Sequence, residues 1–187
     1  MSDIINKAIL YATKKHNGIN RKGTTIPYIV HPLEAMGIAA TMTSDEEILA
    51  AVALHDVVED TDTTYDDIKN EFGKRVADLV ASDSKNLIEG YNDDLSWYEV
   101  KKLEINHLIN ESVDAKIVAL SDKLSNMRSI HNDFYLHGDD FWNRFNEKNP
   151  ELHRWRFYEL LKCFDELKDT MAYMEFEHLV KDTFKGV

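Results

Sequence analysis

The chain has 187 residues, 43% of them hydrophobic, and a formal net charge of −12. That length and apolar content exclude a disordered chain and allow one domain with a sizeable core, extended by a few further helices. The acidic balance argues against a nucleic-acid partner, whose binding footprint is basic, and the chain holds no run of about 18 apolar residues that would span a membrane.

Seven glycines, three prolines and few alternating patterns point to an all-α fold. Residues 2–17 read as an amphipathic helix with Ile5, Ala8, Ile9 and Ala12 inward, and not as a signal peptide. A loop follows over 18–29, where Arg21 and Lys22 lie between Gly18 and Gly23 and form the one early basic cluster. The next helix is expected from Pro32 to Thr43. Ser44 to Glu47 (Ser-Asp-Glu-Glu) reads as a capping box opening the helix after it. Short helices are predicted over 65–72 and 74–82, separated by Gly73, then a polar loop over 83–96 and a helix over 97–110 capped by Ser96. A long helix is expected over 113–132 and a short aromatic one over 139–146. The last two cover 151–171, with Phe157, Leu160, Leu161, Phe164 and Leu167 as a core stripe, and the segment up to Thr183. Cys163, the single cysteine, falls among these core positions. It can form no internal disulfide, which fits a reducing cytoplasm.

Residues 54–61 read Leu-His-Asp-Val-Val-Glu-Asp-Thr. On one continuous helix, His55, Asp56, Glu59 and Asp60 would fall in an arc of about 140°. The residues before them, Ile48 to Leu54, are all apolar. A helix so buried should not carry an imidazole and three carboxylates without compensation. A divalent cation and a phosphate-bearing substrate would provide it.

Asp122 is the second anomaly. It faces away from the stripe Ile117, Leu120, Leu124 and Met127, among Val118, Ser125, Asn126 and Ser129. His31, in Pro-Tyr-Ile-Val-His-Pro, is by itself a capping or packing histidine. Together with His55, Asp56 and Asp122 it completes a set of two imidazoles and two carboxylates. No thiolate takes part, so a structural zinc site is disfavoured. The nitrogen and oxygen donors suit one Mn²⁺, with Fe²⁺, Co²⁺ and Zn²⁺ also compatible. The histidines at 16, 107, 137, 153 and 178 read as surface or satisfied packing residues, and His131 lies too far round its helix to join the same ion. The acidic run 175–177 reads as a solvated face.

The ordered pattern Arg21-Lys22, Pro27-Tyr28-Ile29, His31-Pro32-Leu33, the octet, Phe72-Gly73, Val76-Ala77-Leu79-Val80 and Leu120-Ser-Asp122-Lys-Leu-Ser-Asn126-Met-Arg128 resembles the HD-domain hydrolases of guanosine tetra- and pentaphosphate. It is most similar to their stand-alone small alarmone hydrolases, and the resemblance covers about residues 3–132. It implies an all-α HD-domain bundle with a C-terminal helical extension. It also implies Mn²⁺ held by His31, His55, Asp56 and Asp122, with Glu59 and Asp60 handling the attacking water and its protons. Arg21, Lys22, Lys85 and Asn126 would then meet a small nucleotide substrate.

Two features depart from the pattern. Ser125 stands where the family often has histidine or tyrosine, which points to altered base or ribose recognition. The loop after Lys85 carries Glu89, Asp93 and Asp94, awkward beside a polyphosphate. The alternatives left open are an HD phosphohydrolase of another nucleotide or phosphate ester, and a non-enzymatic nucleotide sensor. Residues 141–146 either cover the substrate or pack a helical cap.

Overall fold

The computed structural model describes residues 3–185. Ten α-helices follow in chain order: α1 Ile4–Lys15, α2 Val30–Ala39, α3 Glu46–Leu54, α4 Val57–Asp60, α5 Tyr65–Phe72, α6 Lys74–Asp83, α7 Trp97–Leu108, α8 Val113–His137, α9 Pro150–Cys163 and α10 Met171–Thr183. Short 3₁₀ turns occupy Lys85–Leu87, Gly138–Arg144 and Asp165–Leu167. The described residues contain no strand, only an isolated bridge between Asn20 and Pro27. The all-α expectation therefore holds.

Helix α3 forms the middle of the N-terminal half. Ala50, Ala51, Val52 and Leu54 are each fully buried, and the helix packs against α1, α2, α6 and α8. Small residues allow this close approach, Ala8 and Ala12 on α1 facing alanines on α3. The cap of α3 is Asp45 and not a Ser44 box. The Asp45 carboxylate accepts from the N–H groups of Glu47 (2.9 Å) and Ile48 (3.4 Å), and Arg75 on α6 pairs with the same carboxylate at 2.8 Å. Ser96 caps α7 as expected, and Glu99 completes a capping box with it.

Helix α8 runs five residues past its predicted end and stops at Gly138, whose φ of +59° lies in the left-handed region glycine tolerates. It is the common support of both halves, with α2 on one side and α10 on the other. Phe157, Phe164 and Phe176 are among the largest fully buried side chains and fasten α9 to α10. Each contributes about 1.5–3 kcal/mol relative to an exposed ring. The 155–167 stripe is core, and Cys163 is buried within it.

Phe141 and Trp142 are also core residues, Trp142 stacking on His153 at 4.9 Å and on Phe184 at 5.7 Å. His153 donates from Nε2 to the Glu147 carbonyl at 2.9 Å, and burial lowers its pKa from the ordinary 6.5. The unfolded chain therefore takes up this proton first. The stability that neutral His153 provides is present above pH 6.5 and is lost as the pH falls from there through the folded value. One group contributes a slope of up to about 1.4 kcal/mol per pH unit. Melting temperatures recorded across this range should fall with acid, and His153→Gln should remove part of that slope.

Candidate metal centre and active site

The octet does not form one helix. The chain turns at His55 and Asp56, between α3 and α4. The His55 ring causes the break locally. Its Nδ1 donates at 2.7 Å to the Val52 carbonyl, the acceptor that the N–H of residue 56 would take in an unbroken helix. The 140° arc is thus wrong as geometry, yet the turn brings the side chains closer together than a helix would. His55 Nε2 and Asp56 Oδ2 lie 2.9 Å apart.

His31 reaches the same point from the first turn of α2, and Asp122 from the middle of α8. His31 Nε2 is 3.2 Å from His55 Nε2, 3.0 Å from Asp122 Oδ1 and 3.4 Å from Asp56 Oδ2. His55 Nε2 is 3.5 Å from Asp122 Oδ1. Ligands held about 2.1 Å from one ion are separated by about 3.0 Å at the cis positions of an octahedron and about 3.4 Å in a tetrahedron. The five separations given match that spacing. The donor atoms of His31, His55 and Asp122 all lie within 4.8 Å of one another, and Asp56 stands beside that trio through its contacts to the two imidazoles.

The hydrogen bonds behind the histidines fix which nitrogen faces inward. A carbonyl only accepts, so His55 carries its proton on Nδ1. Ser125 Oγ donates to Glu34 Oε2 at 2.7 Å, and His31 Nδ1 donates to Ser125 Oγ at 2.8 Å. With both Nδ1 atoms committed outward, the two Nε2 atoms face the centre 3.2 Å apart with Asp56 and Asp122 beside them, an arrangement that suits a cation among the four groups. The residues present fit a divalent ion.

Ser125 is therefore a support of His31, fully buried and absent from the lining of the two cavities described below. Ser125→Ala should weaken metal binding about 10- to 100-fold while leaving the fold intact. Titration calorimetry with Mn²⁺ on the metal-stripped variant measures this.

The electrostatics fit the same centre. Burial alone would lift the Asp56 and Asp122 carboxyls. His55 and His31 around Asp56, and Lys123 with both histidines around Asp122, hold them well below the ordinary range. Lys123 is wedged between Asp122 and Asp83, its ammonium 3.0 Å from Asp83 Oδ1. Burial pushes the Asp83 carboxyl up to about 6 against the pull of Lys123. Tyr28 donates to Asp56 Oδ2 at 2.7 Å. Asp60 also interacts with Tyr28, its carboxyl raised by burial and by the charge on Asp56.

Two cavities meet here. The smaller, about 170 Å³, is lined by His31, Asp56, Asp122 and Glu59. The larger, about 490 Å³, is lined by Arg21, Lys22, Arg144, Phe145 and Phe157. Tyr28, His31, Lys123, Asn126 and Arg156 border both. A model of the HD domain family matches residues 8–148. The chain belongs to the HD domain family.

A Xenopus tropicalis protein named guanosine-3′,5′-bis(diphosphate) 3′-pyrophosphohydrolase MESH1 is 37% identical over 135 residues, 68% of this chain and 69% of that protein. An Aquifex aeolicus guanosine-3′,5′-bis(diphosphate) 3′-pyrophosphohydrolase is 37% identical over 129 residues, but the chain spans only 18% of its length. A solved structure described as a metazoan ortholog of SpoT that hydrolyzes ppGpp superposes with a TM-score of 0.75 at 27% identity, covering 100% of this chain and 97% of that one.

Around this HD centre, the other expected residues fall as follows. Arg21 donates to Asn126 Oδ1 at 2.9 Å, and Asn126 donates in turn to Asp122 Oδ1. Lys22 reaches Asn146 at 3.0 Å on the rim of the larger cavity. Glu59 faces the smaller cavity, whereas Asp60 does not line it. Lys85, expected at the substrate, lines neither cavity, because its 3₁₀ turn aims the ammonium at Glu59. The acids Glu89, Asp93 and Asp94 are exposed and lie outside both linings. Residues 141–146 divide between the two readings, Trp142 buried and Arg144 with Phe145 on the cavity wall.

Among the remaining acids and histidines, the expectations for His16 and Glu175 need correction, and those for His107 and His131 do not. His16 is buried against Tyr28 at 4.8 Å and neither of its ring nitrogens has a partner, so it is not a satisfied packing residue. His107 pairs with Glu111 at 3.1 Å. Glu175 is not merely solvated, since it holds Arg128 through two 2.7 Å bonds, and Arg128 also reaches Glu34 at 3.1 Å. His131 turns to Thr183, away from the centre, at 2.9 Å.

The sequence reading assigned no role to Lys101, Glu104 or Arg156, which all line the smaller cavity. The Lys101–Glu104 spacing on α7 was the available signal for the first two. For Arg156, on a helix otherwise read as core, the sequence carried none.

Proposed function

We propose that the protein hydrolyses the 3′-pyrophosphate of guanosine tetra- and pentaphosphate, leaving GDP or GTP and inorganic pyrophosphate. The observation that carries this reading is the convergence of His31, His55, Asp56 and Asp122 at the junction of a small acidic cavity and a larger one with a cationic wall. The names of the relatives support the choice of substrate. On a chain of net charge −12, collecting Arg21, Lys22, Lys123, Arg144 and Arg156 around one cavity favours an anionic ligand there.

His31, His55, Asp56 and Asp122 would hold one Mn²⁺, which when bound would supply Lewis-acid polarisation of a phosphoryl oxygen and acidify water. Glu59 takes the proton of the attacking water. The water oxygen bonds to the phosphorus joined to the ribose 3′ oxygen, and the bond from that phosphorus to the 3′ oxygen breaks. Glu59, with Asp60 behind it, returns a proton to the departing 3′ oxygen. Lys85 fixes the Glu59 carboxylate and does not bind phosphate. Arg21 and Lys22 meet the phosphates on the larger side, and Asn126 steadies Asp122 next to the nucleoside. The C-terminal helices belong to the same unit, since α9 lends residues to both cavities.

Product analysis tests the reading. Guanosine tetraphosphate with Mn²⁺ should yield GDP and pyrophosphate in equal amounts, and chelator should stop the reaction. Orthophosphate from nucleoside monophosphates, with the tetraphosphate untouched, would replace it with a broader phosphohydrolase activity.

A further inference from the structure

Arg156 lies beyond the segment the family model matches, on the outer helix α9, yet it borders both cavities. Its side chain is 19% exposed. A guanidinium has five N–H donors, and burying them without acceptors is costly. Among the described residues its sole ion pair is a long one, 3.8 Å to Glu104 Oε2, and its ring neighbour is Phe157 at 5.6 Å. Glu104 is already committed, because both its oxygens accept from Lys101 at 2.6 and 2.8 Å. The other cations of the region have their own partners: Lys123 has Asp83 and Asp122, Arg144 has Asp133, and Arg21 has Asn126. Arg156 is the large donor group at the junction whose hydrogen-bonding capacity this fold leaves unused.

Resting on the hydrolase reading above, we propose that Arg156 is a substrate-binding residue that grips the distal phosphate of the 3′-pyrophosphate. The smaller cavity explains the choice. Its lining holds His31, Asp56 and Asp122 together with Arg156 and Lys101, so a pyrophosphate held at its proximal phosphorus by the centre shares one small space with the guanidinium and can offer it the distal phosphate. The planar fork suits two phosphate oxygens at once. Arg156 thereby selects a 3′-pyrophosphate over a 3′-monophosphate, which has no distal group to offer.

The test uses the full chain loaded with Mn²⁺ and inorganic pyrophosphate as the probe, read by calorimetry, with GDP as the comparison ligand. Arg156→Gln should weaken pyrophosphate binding about 10- to 100-fold and raise KM for guanosine tetraphosphate more than it lowers kcat. GDP affinity and metal content should stay at the wild-type level. Arg156→Lys, which keeps the charge and lacks the fork, should fall between the two and guards against a folding defect in the glutamine variant. Unchanged pyrophosphate binding in Arg156→Gln overturns the proposal. So does a selective loss of GDP affinity, which would assign the guanidinium to the 5′ side. Because the binding assay needs no turnover, an absence of tetraphosphate hydrolysis in the wild type would overturn the hydrolase reading separately.

Discussion

Asp122→Asn is expected to abolish metal retention and to lower hydrolysis of guanosine tetraphosphate by on the order of 10³-fold, about 4 kcal/mol of barrier. The substitution keeps the shape of the side chain and removes the charge. Asp122 Oδ1 faces both imidazoles, at 3.0 and 3.5 Å, so an amide there would present a neutral oxygen or an N–H donor where a cation must sit. The fold should survive, because Lys123 keeps its 3.0 Å pair with Asp83. Metal analysis by mass spectrometry, circular dichroism and turnover on one preparation separate these effects. A variant that keeps one ion per chain and wild-type turnover would remove Asp122 from the centre.

Glu59→Gln should behave in the opposite way toward the metal. Glu59 lies on α4, one turn beyond Asp56, and faces the cavity without approaching either histidine. Metal content should therefore be unchanged while kcat falls about 10²- to 10⁴-fold, the range for loss of a positioned general base. KM should move little, because the glutamine keeps the size of the side chain. Lys85 loses its charged partner, so a modest fall in melting temperature is expected as well. Turnover near wild type would move the proton-transfer role elsewhere, Asp60 being the next group to test.

The helices were legible because their signals are local. Ser96 with Glu99, Gly73 and Gly138 each terminate or start a helix as their chemistry dictates. The clustering of 31, 55 and 122 was legible for a different reason: three acidic or imidazole side chains in apolar contexts have no comfortable alternative to meeting each other. The break at His55 was hidden, since it depends on a side chain taking a backbone acceptor, and no periodicity records that. The support that Ser125 gives His31 was hidden for a related reason. Its neighbour across space, Glu34, is 91 residues away in sequence. Arg156 was hidden by its surroundings, because an arginine in an aromatic helix, here one of two with Arg154, reads as a solvated residue beside an apolar stripe.

The bonds behind His31 do not end at Ser125 and Glu34. Glu34 also receives Arg128, and Arg128 is clamped by Glu175 on α10. The orientation of one imidazole at the heart of the molecule is thus anchored, through four successive side chains, to α10. Trimming that helix by proteolysis, or burdening it with a fused tag, would loosen the grip on the ion from a distance, and preparations differing only at their carboxyl end should differ in how readily a chelator strips them.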